Sequence, residues 1–469
     1  MANPVPLPIK AGAKRVYDVA VIGPDLGGAA AAAMIARNGL RVLLCPLGAA
    51  TAARESEGWL LPAAHPILPP LRQLSAALAP IDDLGLGQDL QRVVATAHHG
   101  AFQLLGEKLR LSLPDDPARR RAELRRELSA AAAAQAEAAL ESLPDLGRSW
   151  NEFLSEAPPW PARGFFERRR VKKLWPTPPA LPEGLIGDAL HALAPFAASL
   201  VGDSAPEATA REAAAMFRSP LKLFGGEAQL AEMMRKKAIE SGTEILSDVP
   251  SDLRLEKKGI VFQLGGGEVR ATSVVLACGP EEIGGLLQGG ARPERKILDD
   301  AAISVGRKVT LAHFVVGVEG IPWAMEEAAL LLGNAAGPLL LSSLPARRAR
   351  GEPGPERIVT AARISDAGFT DSQGLLEAVR GALEQVLPFF DRHILHQAAD
   401  LSPSQPHVVF RPHDDGEPLG LRPVPDAHER ILFASAATYP GFGLEGQLLA
   451  ARAASDRAAA LSGRKEIAV

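Results

Sequence analysis

The sequence predicts an α/β fold in which a doubly wound, mainly parallel sheet is joined to a second, α+β domain. Three stretches support this prediction. Residues 17–46 hold an apolar run, a glycine-bearing turn, an alanine-rich segment and a second apolar run. Residues 224–280 again place a helix before apolar runs, and residues 430–461 end the chain with a strand, a glycine-rich turn and a helix. Alternation of this kind is typical of a parallel sheet covered by helices.

The first stretch has the organisation of a βαβ unit. Val19–Ile22 is apolar enough for a buried strand, Ala29–Arg37 is a strong helix former that ends at Asn38-Gly39, and Val42–Leu44 is a second strand. In such units the glycines of the first turn let the backbone approach a pyrophosphate, and the helix N-terminus offers free N–H groups to it. The unit therefore predicts a Rossmann-like, FAD/NAD(P)-binding type of domain.

Two positions of this unit depart from the dinucleotide-binding pattern. Gly23, Gly27 and Gly28 are present, but Asp25 stands where the middle glycine is expected. A carboxylate about 4 Å from a phosphate charge costs on the order of 4 kcal/mol at an effective dielectric constant near 20. The second strand ends in Cys45, where an acidic residue would hold the ribose hydroxyls. The pattern thus predicts the fold more strongly than it predicts the ligand.

Composition sets further limits. The 469 residues carry a net charge of −4, which gives no indication of a nucleic-acid partner. No apolar run reaches the roughly 18 residues of a membrane-spanning helix, and no signal peptide is predicted, so we expect a cytoplasmic protein. Cys45 and Cys278 both follow apolar runs, which indicates buried thiols, or a redox pair only if the two strand ends meet. His393 and His396 lack a nearby third ligand, and we predict no metal site.

The order of the segments predicts three parts of the chain. A long irregular loop is expected over residues 47–75, a hairpin over 101–113 and one long helix over 117–143. The predicted parts are a discontinuous domain of dinucleotide-binding type made of residues 1–113, 218–290 and 425–469, a helical insertion of residues 114–217, and a β-sheet domain of residues 291–424; the resemblance described below implies that the first is an FAD-binding-type domain and the last a substrate-type domain.

Residues 150–175 combine aromatic and basic side chains, and two interpretations of them stay open. The aromatic residues are core residues between helices with solvated cations around them, or the segment contacts a membrane surface or an apolar substrate. The arginines of residues 119–126 are similarly interpreted as a solvated helix face or as an anion-binding patch.

With these segments in order, the chain resembles the FAD-dependent amine oxidase and phytoene (carotenoid) desaturase superfamily. The resemblance covers nearly the full length and rests on residues 19–28, 224–230, 273–280 and 430–446. It implies a doubly wound FAD domain, a substrate domain, and hydride transfer from a C–N or C–C bond of an apolar substrate to the flavin. It names no catalytic residue in this chain.

The resemblance also implies a set of cofactor-binding positions. Gly23, Asp25, Gly27 and Gly28 would lie at the pyrophosphate, Cys45 at the ribose and Val249 near the adenine. In the second turn, Ala436 would lie near the ribityl–phosphate region, and the flavin would be contacted by Tyr439, Gly441, Gly443 and Leu444. The superfamily usually has Gly at position 25, an acidic residue at position 45 and Asp at position 436.

Two functional hypotheses follow. The chain is an FAD-dependent oxidoreductase, or it is a cofactor-free pseudoenzyme of the same fold that acts as a binding or assembly module. Each lost hydrogen bond costs about 0.5–1.5 kcal/mol, so three substituted anchors would together weaken FAD binding by several orders of magnitude.

Overall fold

The structure is a computed structural model in which most of the chain is described. The described residues are 14–47, 51–71, 74–96, 101–156, 162, 164–176, 180–198, 206–256, 259–287, 295–297, 305–319, 323, 325–350, 354–366, 368–402, 408–410, 422–425, 428–439 and 441–463.

The strands and helices are numbered in chain order. The strands are β1 Lys14–Ile22, β2 Val42–Cys45, β3 Ala53–Ser56, β4 Trp59–Pro62, β5 Ile67–Leu68, β6 Phe102–Gly106, β7 Leu109–Leu113, β8 Leu221–Lys222, β9 Glu244–Ile245, β10 Ser251–Glu256, β11 Gly259–Leu264, β12 Gly267–Leu276, β13 Val305–Val316, β14 Ala328–Leu331, β15 Leu339–Pro345, β16 Arg347–Arg348, β17 Arg357–Asp366, β18 Ile394–Asp400, β19 Val408–Phe410 and β20 Ile431–Phe433. The helices are α1 Leu26–Arg37, α2 Ser75–Asp83, α3 Gly87–Thr96, α4 Pro117–Glu127, α5 Ala130–Ser155, α6 Phe165–Leu174, α7 Leu185–Ala198, α8 Pro206–Arg218, α9 Gly226–Glu240, α10 Pro280–Leu286, α11 Ser372–Val386 and α12 Gly443–Leu461.

The first sheet is assembled from separated parts of the chain, as the sequence predicts. Its order is β10-β11-β12-β1-β2-β9, and β20 pairs with the end of β12. β1 lies parallel to both β2 and β12, and β20 is parallel to β12, so four strand ends meet at one edge. This is the mixed α/β, doubly wound fold class expected from the sequence.

Helix α1 fixes the position of this edge. Its alanines at positions 29–33 are almost completely buried, and the helix packs between α9 and α12. Alanine side chains allow such close helix–helix approach because they add little volume. The start of α1 is thereby held beside the start of α12, near the ends of β1, β12 and β20.

The second sheet is mostly antiparallel and has the order β18-β13-β17-β15-β14-β6-β7, with β19 beside β13. Its central strands β13, β14, β15 and β17 all lie within residues 291–424, where the sequence predicts a β-sheet. The hairpin of β6 and β7 is confirmed as a hairpin, but β6 pairs with β14 and therefore lies in the second sheet.

The structure corrects two local predictions. Residues 47–75 are not one irregular loop, because β4 pairs with both β3 and β16, and β5 pairs with β8. Residues 117–143 are not one helix, because Leu128 has an extended backbone and the Ser129 hydroxyl accepts a hydrogen bond from the Ala132 N–H at 3.4 Å, which starts α5. The first prediction was wrong because these short strands pair with partners that are distant in sequence. The second was wrong because the Ser129 side chain caps a new helix inside the predicted one.

The helices α5, α7 and α8 pack on one another and share a core with α1 and α12. Trp150 on α5 is fully buried, and its ring lies 5.8 Å from that of Phe442 at the start of α12. Among the described helices, none combines the length and apolar character that a membrane-spanning segment needs.

Candidate functional site

The site built by the two glycine-bearing turns lies where β1, β12 and β20 end. We call it the two-turn site: residues 23–28 after β1 and residues 435–446 after β20. Gly23 has φ +140°, and a Cβ on it would lie 1.8 Å from the carbonyl oxygen of Ala277. A Cβ on Gly28 would lie 2.5 Å from the Ala277 Cβ. Both glycines are required because the end of β12 packs directly against the turn.

Gly27 brings the two turns together. A Cβ on Gly27 would lie 2.2 Å from the carbonyl oxygen of Ala434, which directly follows β20. The close backbone approach that a glycine allows is therefore used here by the protein's own second turn.

Asp25 joins the two turns by a hydrogen bond. Its Oδ2 accepts from the backbone N–H of Ala436 at 3.1 Å, and the side chain is buried. Burial raises the pKa of the Asp25 carboxyl from 3.8 to about 8; the N–H of Ala436 lowers it, and Glu227 and Glu282 raise it further. At neutral pH the carboxyl is thus mainly protonated on one oxygen, and Oδ2 can still accept the hydrogen bond from the Ala436 N–H.

A second side chain occupies the N-terminus of α1. Gln447 Oε1 accepts from the Gly27 N–H at 3.3 Å, and Gln447 Nε2 donates to Glu227 Oε1 at 2.6 Å. Gln447 and Glu227 are both buried. We call Asp25, Glu227 and Gln447 the polar cluster. It satisfies backbone N–H groups of both turns with side chains of the same chain.

The N-terminus of α12 faces a third buried carboxylate. A Cβ on Gly443 would lie 2.7 Å from Glu212 Oε2 and 2.4 Å from the carbonyl oxygen of Ala197. Burial raises the pKa of Glu212 to about 8, Arg211 lowers it, and Glu445 and Glu227 raise it. Helices α7 and α8 therefore supply the groups at this helix end.

Arg211 balances the charge of these carboxylates. Its Nη2 donates to Glu445 and lies 3.8 Å from Glu212, and its Nη1 donates to Asn151 Oδ1 at 2.6 Å. We call Arg211, Glu212, Glu445 and Asn151 the Arg211 network. Because the first three of these side chains are buried, the network locks α8 and α5 onto the start of α12.

The space between the second sheet and α12 is small. A cavity lined by His65, Phe196, Glu227, Leu340 and Leu444 has a volume of about 10 Å³. A cavity of this volume holds about one water molecule. The resemblance implied that an apolar substrate and a flavin ring would share this region, and neither fits a cavity of that size.

The remaining expected positions differ in their surroundings. Cys45 is buried, its carbonyl accepts the Gly23 N–H at 2.9 Å, and burial raises the pKa of its thiol to about 12. Val249 is 71% exposed between β9 and β10. Tyr439 has φ +55°, Gly441 has φ +88°, and the Tyr439 carbonyl accepts the Phe442 N–H at 3.2 Å as the chain turns into α12. This helix begins at Gly443.

The two cysteines are both free and buried. β1 lies between β2, which ends at Cys45, and β12, which ends at Leu276, two residues before Cys278, so the two strand ends are two strand spacings, about 10 Å, apart. Within the described residues no group of three His, Cys, Asp or Glu side chains is arranged to hold a metal ion.

Comparison with solved structures identifies the fold. Putrescine oxidase bound to putrescine aligns over 96% of this chain and 100% of its own, with 13% identity and a TM-score of 0.56. Cyclohexylamine oxidase from Brevibacterium oxydans aligns over 95% and 99%, with 14% identity and a TM-score of 0.56. A putative protoporphyrinogen oxidase from Exiguobacterium sp. aligns over 95% and 98%, with 15% identity and a TM-score of 0.54. The chain shares its fold with these oxidases.

No protein-family model matches the sequence. A search of the curated proteins finds no match either. At 13–15% identity the alignments establish the fold alone.

The residues present do not fit a bound dinucleotide. The N–H groups of Gly27 and Ala436, which face the two-turn site, donate to Gln447 and Asp25. Asp25, Glu212, Glu227 and Glu445 place carboxyl groups around the site against the one buried cation Arg211 among the described residues there. A diphosphate here would meet these carboxyl groups, and two of the backbone N–H donors of the turns already have acceptors in the polar cluster.

The sequence predicts the two turns and the position of Asp25, but it gives no indication that Gln447, Glu227, Glu212 and Arg211 belong to the site. An acidic residue in the first turn of a helix, as Glu227 and Glu445 are, ordinarily indicates a surface side chain that favours the helix dipole. Only the close packing of α1, α9 and α12 buries these groups. The sequence offered one indication of the site, Asp25, because a carboxylate is unfavourable beside a phosphate and needs a hydrogen-bond donor from the protein instead.

Proposed function

We propose that this chain is a cofactor-free protein with the amine-oxidase fold, and that it acts by binding rather than by hydride transfer. The proposal rests chiefly on the hydrogen bond between Asp25 and the Ala436 N–H at 3.1 Å. That bond joins the two turns between which the pyrophosphate of a dinucleotide would lie in this fold. A protein that bound FAD would first have to break it.

The polar cluster supports the proposal in two ways. Gln447 and Glu227 form a chain of hydrogen bonds to the Gly27 N–H, so the start of α1 already has an acceptor. An added phosphate would also have to break the hydrogen bond that the Asp25 carboxyl, whose pKa burial raises to about 8, accepts from the Ala436 N–H, which would leave a buried polar group without its partner. The small cavity beside Leu444 further supports a function without a flavin ring.

The fold favours the alternative hypothesis, an FAD-dependent oxidoreductase with an apolar substrate, and one experiment separates the two. The purified protein is examined for the blue-light absorption of flavin and then titrated with FAD, with quenching of flavin fluorescence and titration calorimetry as readouts. We expect a colourless protein and no saturable binding. A yellow preparation, or saturable FAD binding by the unmodified chain, would contradict the proposal.

A double variant tests whether the polar cluster is the reason that FAD does not bind. Asp25→Gly combined with Gln447→Ala releases the N–H groups of Ala436 and Gly27 and removes one carboxyl. We expect this double variant to bind FAD measurably, although weakly. Asp366→Gly is the matched control, because the Asp366 side chain is 89% exposed on β17, away from the two turns; it is expected to behave like the unmodified chain. A folded double variant that ignores FAD would show that the cluster does not decide binding.

A further inference from the structure

Helix α6 carries two exposed phenylalanines at its start. Phe165 is 72% exposed and Phe166 is 83% exposed, and their ring centroids lie 5.6 Å apart. Large apolar side chains of this exposure cost free energy in water, and an adjacent pair indicates an interaction site more strongly than scattered single residues do.

The turns that follow are strongly basic. Arg168, Arg169, Arg170, Lys172 and Lys173 are all exposed. At 100° per residue, Lys172, Phe165, Arg169, Lys173, Phe166 and Arg170 fall within one arc of about 160°. We call these six residues the α6 face. Among the described residues, no carboxylate forms an ion pair with Arg169, Lys172 or Lys173.

The opposite side of α6 fixes the helix to the protein. Val171 is buried, and Trp175, directly after the helix, packs edge-on against Trp150 at 5.3 Å and Phe153 at 5.7 Å. Glu167 forms an ion pair with Arg422 at 2.6 Å. The α6 face is therefore held outward by contacts on its far side, and the one acidic residue of the helix is neutralised there.

We infer that the α6 face binds the surface of an anionic phospholipid bilayer. The phenylalanines at the helix start enter the interfacial region, and the cations of the next two turns contact lipid phosphates and carboxylates. Amphipathic surfaces of this composition bind membranes through buried apolar area together with attraction to anionic lipid. Because the chain as a whole has a net charge of −4, the cluster of cations on α6 determines which side of the protein faces an anionic membrane.

A bilayer suits this surface better than a folded protein does. The phenylalanines project outward instead of lining a groove, so a protein partner would need a matching concave pocket, whereas lipid adapts to a protruding side chain. This inference goes beyond the cofactor-free function and does not depend on it, because it concerns a different surface and its test requires no flavin.

The test is sedimentation of the full chain with vesicles. Vesicles of phosphatidylcholine with about one third phosphatidylserine are compared with pure phosphatidylcholine at two salt concentrations. We expect binding to the anionic vesicles that weakens with salt. Lys172→Gln with Lys173→Gln should lower the partition coefficient about thirtyfold, since each cation near such a surface is worth about a factor of five. Phe165→Ser with Phe166→Ser should lower it at least about tenfold.

The matched control is Arg119→Gln with Arg125→Gln on α4, which removes the same charge from an exposed basic helix that has no phenylalanine pair. We expect binding to be retained in this variant. Loss of binding in the control to the same extent would contradict the inference, because charge alone would then explain it. Equal sedimentation with both kinds of vesicle, or none with either, would also contradict it.

A second measurement locates the contact. Phe166→Cys can be labelled with an environment-sensitive dye, because Cys45 and Cys278 are buried and do not compete for the reagent. A blue shift on addition of anionic vesicles is the expected result. An unchanged emission, or binding that survives the phenylalanine double variant, would show that only charges are recognised, as for a nucleic acid or an acidic protein, and would overturn the assignment to a bilayer.

Discussion

The carboxyl oxygen of Asp25 accepts a hydrogen bond from the backbone N–H of Ala436, 411 residues later in the chain. In a dinucleotide-binding turn an aspartate at position 25 would repel the phosphate. In this structure it contacts the second turn directly and is protonated at neutral pH because it is buried. The residue that looks like a defect in a cofactor motif is therefore a structural contact between the two ends of the chain.

Asp25→Asn should change how stability depends on pH. The pKa of Asp25 is raised from 3.8 to about 8, so the folded chain holds a proton that the unfolded chain releases between these values. The contribution is fully present below pH 3.8, and it declines as pH rises towards 8. The slope is at most about 1.4 kcal/mol per pH unit for one group.

The measurement is urea unfolding of both proteins at several pH values between 4 and 8, the range set by the two pKa values. The difference in unfolding free energy between Asp25→Asn and the unmodified chain should grow in favour of the variant as pH rises. Comparing the two proteins cancels other groups, such as His313, whose pKa burial lowers to about 3. A difference that is constant with pH would show that Asp25 titrates normally.

Gly27→Ala should destabilise the protein by about 1–3 kcal/mol, because the new methyl group would lie 2.2 Å from the carbonyl oxygen of Ala434 and force the two turns apart. Gly147→Ala is the control: it lies within α5, where an added Cβ meets no atom within 4 Å. That change should stabilise by about 0.5–1 kcal/mol. Chemical denaturation gives both values, and a neutral Gly27→Ala would mean that the turns are not in contact.

Arg211→Met should cost about 3–5 kcal/mol, since Glu445 would then be buried without its cation. The double variant Arg211→Met with Glu445→Gln removes that uncompensated charge and should recover part of the loss. Thermal unfolding of the three proteins forms the comparison. If the double variant is less stable than Arg211→Met alone, the two residues are not coupled as described.

The thiols should be unreactive in the native protein. Cys45 and Cys278 have no exposed surface, and burial raises the pKa of both above the usual value for a thiol. A disulfide reagent with a coloured product should therefore modify neither cysteine of the native protein during the time in which it modifies both in urea. Rapid reaction of one thiol without denaturant would indicate local opening at the end of β2 or β12.

Much of the fold was accessible from the sequence because its signals are local. The apolar runs that became β1, β12 and β13, the hairpin of β6 and β7, and the alanine-rich α1 each have a periodicity or a turn of their own. The short strands at residues 53–68 have no such signal, since their pairing depends on partners such as Arg347 and Lys222.

The candidate site was less predictable for a physical reason. The two turns could be predicted from their glycines, yet the groups that satisfy their N–H donors come from other elements: Gln447 from α12, with Glu227 from α9 behind it. An isolated glutamate or glutamine carries no sign of which backbone group it will meet hundreds of residues away. The domain boundaries and the roles of the cofactor positions stay predictions.

The first turn of the chain receives one of its acceptors from the last helix, since Gln447 is separated from Gly27 by 420 residues. During synthesis at about 5–20 residues per second, roughly 20 to 80 seconds pass between the emergence of the one and of the other from the ribosome. For that interval α1 lacks its final neighbour and its apolar surface is open to solvent or to a chaperone. Completion of this part of the molecule therefore waits for the synthesis of α12, and truncation before α12 would leave α1 without this neighbour.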